Sequence, residues 1–321
     1  GMKVDMIPTL FEERRSYYLS DRVALPLYLS RHGYRTRGIA QNNMLEDVWG
    51  TGVDVGFQEY HYVQDTLDHS NKITSDAIRF MEHHQAEPWF LYLSYNAPHW
   101  PYRPSGQHIA KVGMAGDDPA DWLKSLYRAE VSLSAAHLAP LMETLHNLQI
   151  DQDTLVIINS DHGEQLDAEQ EQEIIRANLW HEGLTTHERT RPGHETLLAE
   201  TIHVPLVMRR SGHLPAATEI DVPVSTVDIP PTIVDLLGLP PMQGIRGRSV
   251  VPSIYGRSQA SLQLLIEGKS IRGVIDWPLK YIRRDGDKGK DWVRWIARGE
   301  RLHRVPEELY NLEQDPHERI N

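Results

Sequence analysis

The 321-residue sequence contains no cysteine, no excess of basic residues and no long apolar run. The lack of cysteine excludes disulfides, thiolate metal sites and a cysteine nucleophile within these residues. No apolar stretch approaches about 18 residues and the start does not resemble a signal peptide, so we expect no membrane span. With 33 basic against 45 acidic residues, the net charge of −12 argues against a nucleic-acid partner. Compartment and oligomeric state cannot be predicted.

Helix-like and strand-like segments alternate through the first two thirds of the chain. An amphipathic helix is predicted at 22–32, and further helices at roughly 70–85 and 121–148. Short strands are predicted at 36–43, at the start of the apolar run 89–102, at 155–158 and at 203–209. This alternation predicts an α/β fold with a largely parallel sheet and helices on both faces. Beyond about residue 260 the pattern is typical of antiparallel strands around a turn. We therefore expect an α/β domain over 1–260 and a small C-terminal subdomain over 261–321.

A candidate metal site follows the strand predicted at 155–158. The apolar run there indicates a strand buried on both faces, and residues just past such a strand face the ligand crevice of an open α/β sheet. Asp161 and His162 stand at this point, and Gly163 lets the backbone turn sharply behind them. The structural alternative is that Asp161 only caps the following turn. Two ligands cannot hold a metal alone, so the others must come from elsewhere.

Two histidines are candidates for contact with an anionic substrate. His99 lies between Pro98 and Pro101 in the stretch FLYLSYNAPHWPY (90–102), just past an apolar strand. A rigid imidazole there could bind an anionic oxygen and protonate a leaving group. The alternative is a surface histidine in a proline-rich turn. His194 is a candidate second anion contact, with His181, His187 and His203 as nearby alternatives. The polar stretch 165–195 is predicted to be an insertion or lid over the strand ends.

Three further stretches indicate a family when they are taken in order with SDHGE and NAPHWPY. They are GYRT at 33–36, VDIPPTIVDLLGL at 227–239 and ELYNLEQDPHE at 308–318. Over nearly its whole length the chain resembles the sulfatase family of the alkaline phosphatase superfamily. The resemblance implies a mostly parallel, mixed central sheet flanked by helices, with a small C-terminal antiparallel α+β subdomain. It also implies metal-dependent hydrolysis of sulfate esters by a formylglycine nucleophile made from Cys or Ser.

The resemblance assigns roles to four side chains. Asp161 matches the third metal-ligand aspartate of the family, and His162 falls where members carry Asn or His as the fourth ligand. His99 matches the histidine that contacts the sulfate and serves the leaving group. His194 stands where many members have a lysine that touches the sulfate. The implied cation is calcium, with magnesium or manganese as alternatives, and the implied substrate is a sulfated small molecule or carbohydrate.

The sequence departs from the family pattern at the nucleophile. The family motif is Cys or Ser-x-Pro-x-Arg, and here only Pro192 has a hydroxyl residue, Thr190, two places before it, with His194 where Arg is required. The sole Asp-Asp pair, Asp117–Asp118, is predicted to cap a helix and not to bind metal. We therefore expect a fragment, inactive alone, whose nucleophile lies upstream. The alternatives are a phosphonate or phosphate ester hydrolase of the same superfamily and a truncated, non-catalytic binding paralogue.

Overall fold

The computed structural model describes residues 24–42, 45–46, 52–64, 70–114, 119–166, 196–257, 263–268, 271–284 and 307–319. The first half contains α1 (Leu25–Arg31), β1 (Arg35–Ala40), β2 (Glu59–Tyr62), α2 (Ser70–His84), β3 (Trp89–Ser94), α3 (Gly106–Val112), α4 (Pro119–Asn147) and β4 (Val156–Asn159). The second half contains α5 (Ala199–Ile202), β5 (Leu206–Arg209), a 3-10 turn (Thr226–Asp228), α6 (Ile229–Leu236), α7 (Val251–Ile254), β6 (Gln263–Glu267), β7 (Ile271–Asp276), β8 (Leu279–Arg284) and β9 (Glu307–Asn311).

A parallel three-stranded sheet with the order β2-β1-β3 is the first layer of the α/β part. Its middle strand is enclosed, and Ile39 is fully buried. One face of this sheet packs on α2 and α4, because the apolar positions of both helices recur at helical spacing and meet the strand side chains in one core. This core includes Ile39, Ile73, Ala77, Met81, Leu141 and Leu145. The predicted α/β fold class and the predicted helices are confirmed where the chain is described.

The strand that precedes the candidate metal ligands differs from its prediction. β4 pairs with β5 in antiparallel register, with Ile158 opposite Val207. The prediction of a strand buried on both faces is wrong. β4 joins the core through its first residue, Val156, whereas Ile158 is 38% exposed and Val207 is 55% exposed. Because the burial ends within the strand, the carboxyl end of β4 and the loop after it lie at the protein surface.

A four-stranded antiparallel sheet with the order β6-β7-β8-β9 follows in the C-terminal part. The alternation of its strands places Ile271, Ile282 and Tyr310 in a second buried cluster, where they pack with Leu197 and Leu198. This sheet agrees with the antiparallel pattern expected after about residue 260. The division into domains 1–260 and 261–321 stays a prediction. None of the helices in the described ranges combines the length and apolar character needed to cross a membrane.

Two of the stretches that carry the resemblance have structural roles. Gly33 ends α1 with a φ of +87°, a conformation that favours glycine, and Tyr34 N then donates to Leu29 O at 3.1 Å. In the second stretch, the buried carboxylate of Asp228 accepts hydrogen bonds from Ser225 N and Arg248 N, both at 2.9 Å. Asp228 therefore fixes the start of the helical segment and joins it to a loop 20 residues later in the chain.

Candidate functional site

The loop after β4 presents Asp161 and His162 side by side. The side chain of Asp161 is 81% exposed and that of His162 is 33% exposed. Asp161 Oδ1 accepts the His162 amide at 3.0 Å, so the carboxylate caps its own turn, as the structural alternative holds. Its other oxygen, Oδ2, lies 3.8 Å from His162 Nε2. Two ligands of one cation are commonly separated by about 3 to 4.5 Å, so these two atoms fit a shared ion.

His162 is held in a defined orientation by the backbone around it. Its Nδ1 lies 2.8 Å from Gly163 O, and Ser160 Oγ donates to His162 O at 2.7 Å. A carbonyl oxygen can only accept, so Nδ1 carries the proton and Nε2 presents its lone pair in the neutral ring. This is the tautomer in which metal-binding histidines are held by the groups around them.

Gly163 seats the loop directly on α5. The Gly163 amide donates to Thr201 O at 2.7 Å. A Cβ atom added to Gly163 would stand 2.1 Å from Glu200 O, which is backbone and cannot swing aside. Two residues further on, Gln165 Nε2 donates to Glu200 Oε1 at 3.0 Å. Only glycine allows the chain to pass this close to α5, and this contact fixes the position of the two candidate ligands.

We predict that Gly163→Ala destabilises the protein and displaces the loop that carries Asp161 and His162. Forcing a methyl group into occupied space costs roughly 1–3 kcal/mol, which should appear as a lower urea midpoint. Gly106→Ala is the matched control, because a Cβ at Gly106 meets no atom within 4 Å. The control should unfold at the parent's midpoint or slightly above it. An unchanged midpoint for Gly163→Ala would contradict the close seating of the loop on α5.

The segment that carries His99 is fastened to α4. The peptide bonds Ala97–Pro98 and Trp100–Pro101 are both cis. His99 N donates to Asn96 O at 2.7 Å, and Ser134 Oγ donates from α4 to Ala97 O at 3.1 Å. Just after this segment, Arg103 N donates to Glu130 Oε1 of α4 at 2.5 Å. The rigid presentation predicted for His99 is therefore provided by the helix behind it as well as by the two prolines.

The loops after β3 and β4 meet through a tyrosine. The hydroxyl of Tyr102 donates to Glu164 Oε2 at 3.2 Å. This hydrogen bond joins the loop that carries His99 to the loop that carries His162. Desolvation raises the pKa of Tyr102 strongly, and the Glu164 carboxylate raises it further, so this hydroxyl stays a donor. Within β3, desolvation raises the pKa of Tyr92, a hydrogen bond with Ser94 lowers it, and the charge of Asp161 raises it to a smaller extent. Both strand ends therefore face one region.

Tyr102 and Glu164 were not among the predicted site residues. They lie inside the same two motifs, NAPHWPY and SDHGE, that contain the predicted ones. The described residues do not include the predicted His194 or two of its alternatives, His181 and His187. They also do not include 167–195 of the predicted lid. His203 ends α5 and is exposed. Across the described ranges, no three His, Asp or Glu side chains are grouped so that they could hold a metal ion. Asp161 and His162 are thus a pair of donors, and further ligands would be needed.

Comparison with known proteins gives a family, a curated relative and several related folds. A family model described as sulfatase matches residues 8–239. The steryl-sulfatase of Homo sapiens is 26% identical over 213 residues, which are 64% of this chain and 33% of that protein. The chain covers 20 to 38% of the length of the first curated relatives that it matches.

Solved structures share the fold at low identity. A protein determined in complex with its substrate, D-glucosamine-2-N,6-O-disulfate, superposes with a TM-score of 0.65 and 15% identity, over 93% of this chain and 77% of that one. A phosphonate monoester hydrolase from Silicibacter pomeroyi superposes with a TM-score of 0.60 and 14% identity, over 91% of this chain and 74% of that one.

Proposed function

Since this chain belongs to the sulfatase family, we propose that it forms part of a metal-dependent sulfuric ester hydrolase and supplies one side of its active site. The supporting observation is the hydrogen bond from Tyr102 to Glu164, which joins the loop that carries His99 to the loop that carries Asp161 and His162. Candidate groups for anion contact and for cation binding are thereby brought to the carboxyl ends of two strands, where α/β folds bind ligands.

Asp161 and His162 are the proposed protein ligands of a divalent cation. Carboxylate oxygen suits calcium, with magnesium as an alternative, and the imidazole of His162 leaves room for manganese or zinc. The 3.8 Å between Asp161 Oδ2 and His162 Nε2 and the exposure of Asp161 support this assignment. When bound, the cation would neutralise charge on the oxygens of a sulfate group. Because calcium takes about six to eight ligands, the remaining ones are assigned to residues outside the described ranges.

His99 is the proposed proton donor to the leaving group. A protonated imidazole can hydrogen-bond a sulfate oxygen and then transfer its proton to the oxygen of the departing alcohol. The contacts of its loop with α4, through Ser134 and Glu130, would hold it in place during that transfer. His194 is proposed as a second contact to the sulfate. It would carry a positive charge only at lower pH, unlike the lysine that many family members have there.

The proposed nucleophile, a formylglycine, is assigned to a residue outside these 321. The sequence has no cysteine, and none of its 20 prolines has a serine two places before it. Thr190 precedes Pro192 at the required spacing, but His194 replaces the arginine. The two aspartates that complete the metal site in the family are likewise assigned to residues outside these 321. This chain alone is therefore proposed to hold an incomplete site.

A sulfated carbohydrate is the substrate that we favour within the wider class of sulfated small molecules. The related structure that was determined with a disulfated glucosamine supports this choice, and the exposed position of Asp161 suits a hydrated, polar substrate. A phosphonate or phosphate ester is the second candidate, because tetrahedral anions require similar charge stabilisation and a phosphonate monoester hydrolase shares the fold. The third candidate function is that of a binding paralogue without catalytic activity, and the lack of a nucleophile motif favours it.

Calcium titration tests the proposed metal ligands directly. We expect the chain to bind calcium weakly, with a Kd of about 10⁻⁴ to 10⁻³ M, because two donors satisfy only part of its coordination shell. Asp161→Asn should weaken binding by about tenfold or more, since it removes the carboxylate charge. Asp153→Asn is the matched control, an exposed aspartate in the turn before β4. Isothermal titration that gives equal affinities for the parent chain and Asp161→Asn would refute the assignment.

A further inference from the structure

A fully buried ion pair joins the C-terminal sheet to the turn that follows it. Lys280 of β8 and Glu318, in the turn after β9, each expose 1% of their side chains and form an ion pair. The backbone of Glu318 has a φ of +54°, a conformation that residues with a side chain seldom adopt. A buried ion pair adds little net stability compared with apolar residues of the same size. Its presence in a core therefore calls for a role beyond stability.

The carboxylate of Glu318 joins the C-terminal sheet to α5. One oxygen, Oε1, accepts the ammonium of Lys280, and the other, Oε2, accepts the amide of Ala199 at 2.6 Å. Ala199 is the first residue of α5, where backbone N–H groups have no partner within the helix. The residues just before it, Leu197 and Leu198, are buried against the sheet. The short helix is therefore fixed both by a charged hydrogen bond and by apolar packing.

The opposite side of α5 holds the loop of the proposed metal ligands. Thr201 O accepts the amide of Gly163 at 2.7 Å, and the backbone of Glu200 leaves no space for a side chain at Gly163. α5 has four residues, so Ala199 and Thr201 are two positions apart in one rigid turn. A displacement of Ala199 would move Thr201 and with it Gly163. Asp161 and His162 directly precede Gly163 in the chain, so they would move with it.

We propose that the Lys280–Glu318 pair is a positioning unit for the metal-binding loop. Lys280 holds the Glu318 carboxylate in place, Glu318 holds the start of α5, and α5 holds the amide of Gly163 so that Asp161 and His162 face one ion. This role rests on the proposed function, because it assumes that these two residues bind the cation. It also gives the ELYNLEQDPHE stretch, which ends at Glu318, a connection to the SDHGE stretch 155 residues earlier in the chain (318 − 163).

Amide hydrogen exchange at Gly163 tests the positioning role without relying on metal binding. The variants Lys280→Met/Glu318→Gln and Lys280→Met/Glu318→Leu both lack the charges of the ion pair, and they differ in whether position 318 can accept the Ala199 amide. We expect the Gly163 amide to exchange about tenfold faster in the Leu variant, since loss of the bond loosens α5 locally. The amide of Ile39, in the parallel sheet, should exchange equally in both. Equal exchange at Gly163 in both variants would overturn the proposal.

Two further comparisons keep the test decisive. Glu313→Gln changes an exposed glutamate in the same C-terminal turn and should leave Gly163 exchange at the parent rate. If a double variant does not fold, the single variants Glu318→Gln and Glu318→Leu are compared in the same way, and equal exchange at Gly163 in these two would again overturn the proposal. Calcium affinity is measured on the same proteins. A parent chain that binds no calcium contradicts the proposed function, whereas the exchange result judges the positioning role on its own.

Discussion

The 321-residue chain is expected to show no metal-dependent hydrolysis of an aryl sulfate. A longer form of the protein that carries a Cys or Ser-x-Pro-x-Arg segment, produced with a formylglycine-generating enzyme, should turn over the same ester at least about a thousandfold faster. The reason is that no cysteine is present and no serine stands in the motif. Asp161 and His162 also leave most of a calcium coordination shell unfilled, so charge on the sulfate oxygens would be poorly neutralised.

The two proteins are compared on an aryl sulfate, an aryl phosphate and a phosphonate monoester, with and without calcium. Comparable turnover of the sulfate by both would contradict this expectation, because the nucleophile would then be a residue within this chain. Preference of the longer form for the phosphonate or phosphate would favour the second candidate function. A longer reading frame without the motif would favour the binding paralogue.

Lys280→Met should destabilise the chain by about 3–5 kcal/mol, the cost of leaving a buried charge without its partner. Lys280 and Glu318 are each 1% exposed, so removal of the ammonium takes away the cationic partner of a carboxylate that is shielded from water. Burial lowers the pKa of Lys280, and Glu318 opposes this by favouring the charged form. Urea unfolding followed by circular dichroism measures the change in the free energy of unfolding.

Lys111→Met is the control, because Lys111 is exposed in the last turn of α3. Its effect should stay within about 0.5 kcal/mol, as is usual for surface substitutions. The double variant Lys280→Met/Glu318→Gln should be more stable than Lys280→Met, since it removes the buried negative charge along with the cation. A cost below about 1 kcal/mol for Lys280→Met would show that the pair is not the buried contact described above.

Sequence periodicity was sufficient to predict the helices and the α/β class, but not the pairing of β4. The helices at 70–85 and 121–148 are long enough for their apolar positions to repeat, and they are observed as α2 and α4. β4 has four residues, and a run that short carries no information about the direction of its partner. Its antiparallel pairing with β5 and its exposed end therefore became evident only from the structure.

The residues that connect the site were beyond sequence reasoning for a different reason. Lys280 stands in an alternating strand, where a lysine ordinarily faces water. Its burial depends on Glu318, 38 residues later, and pairing over that separation leaves no local pattern. Tyr102 and Glu164 likewise contact each other across 62 residues. Asp161 and His99 could be named as candidates because they follow predicted strands. Tyr102 and Glu164 could not, because only their tertiary contact connects them with the candidate site.

The distance between the His99 imidazole and the Asp161 carboxylate is the most direct test that both belong to one active site. It can be measured in a crystal structure of the chain grown with calcium and sulfate. A shared site requires a separation below about 15 Å, the span of a ligand pocket of several hundred Å³. The hydrogen bond of Tyr102 with Glu164 leads us to expect a value inside that limit. A separation above about 15 Å would contradict a common site for the two loops.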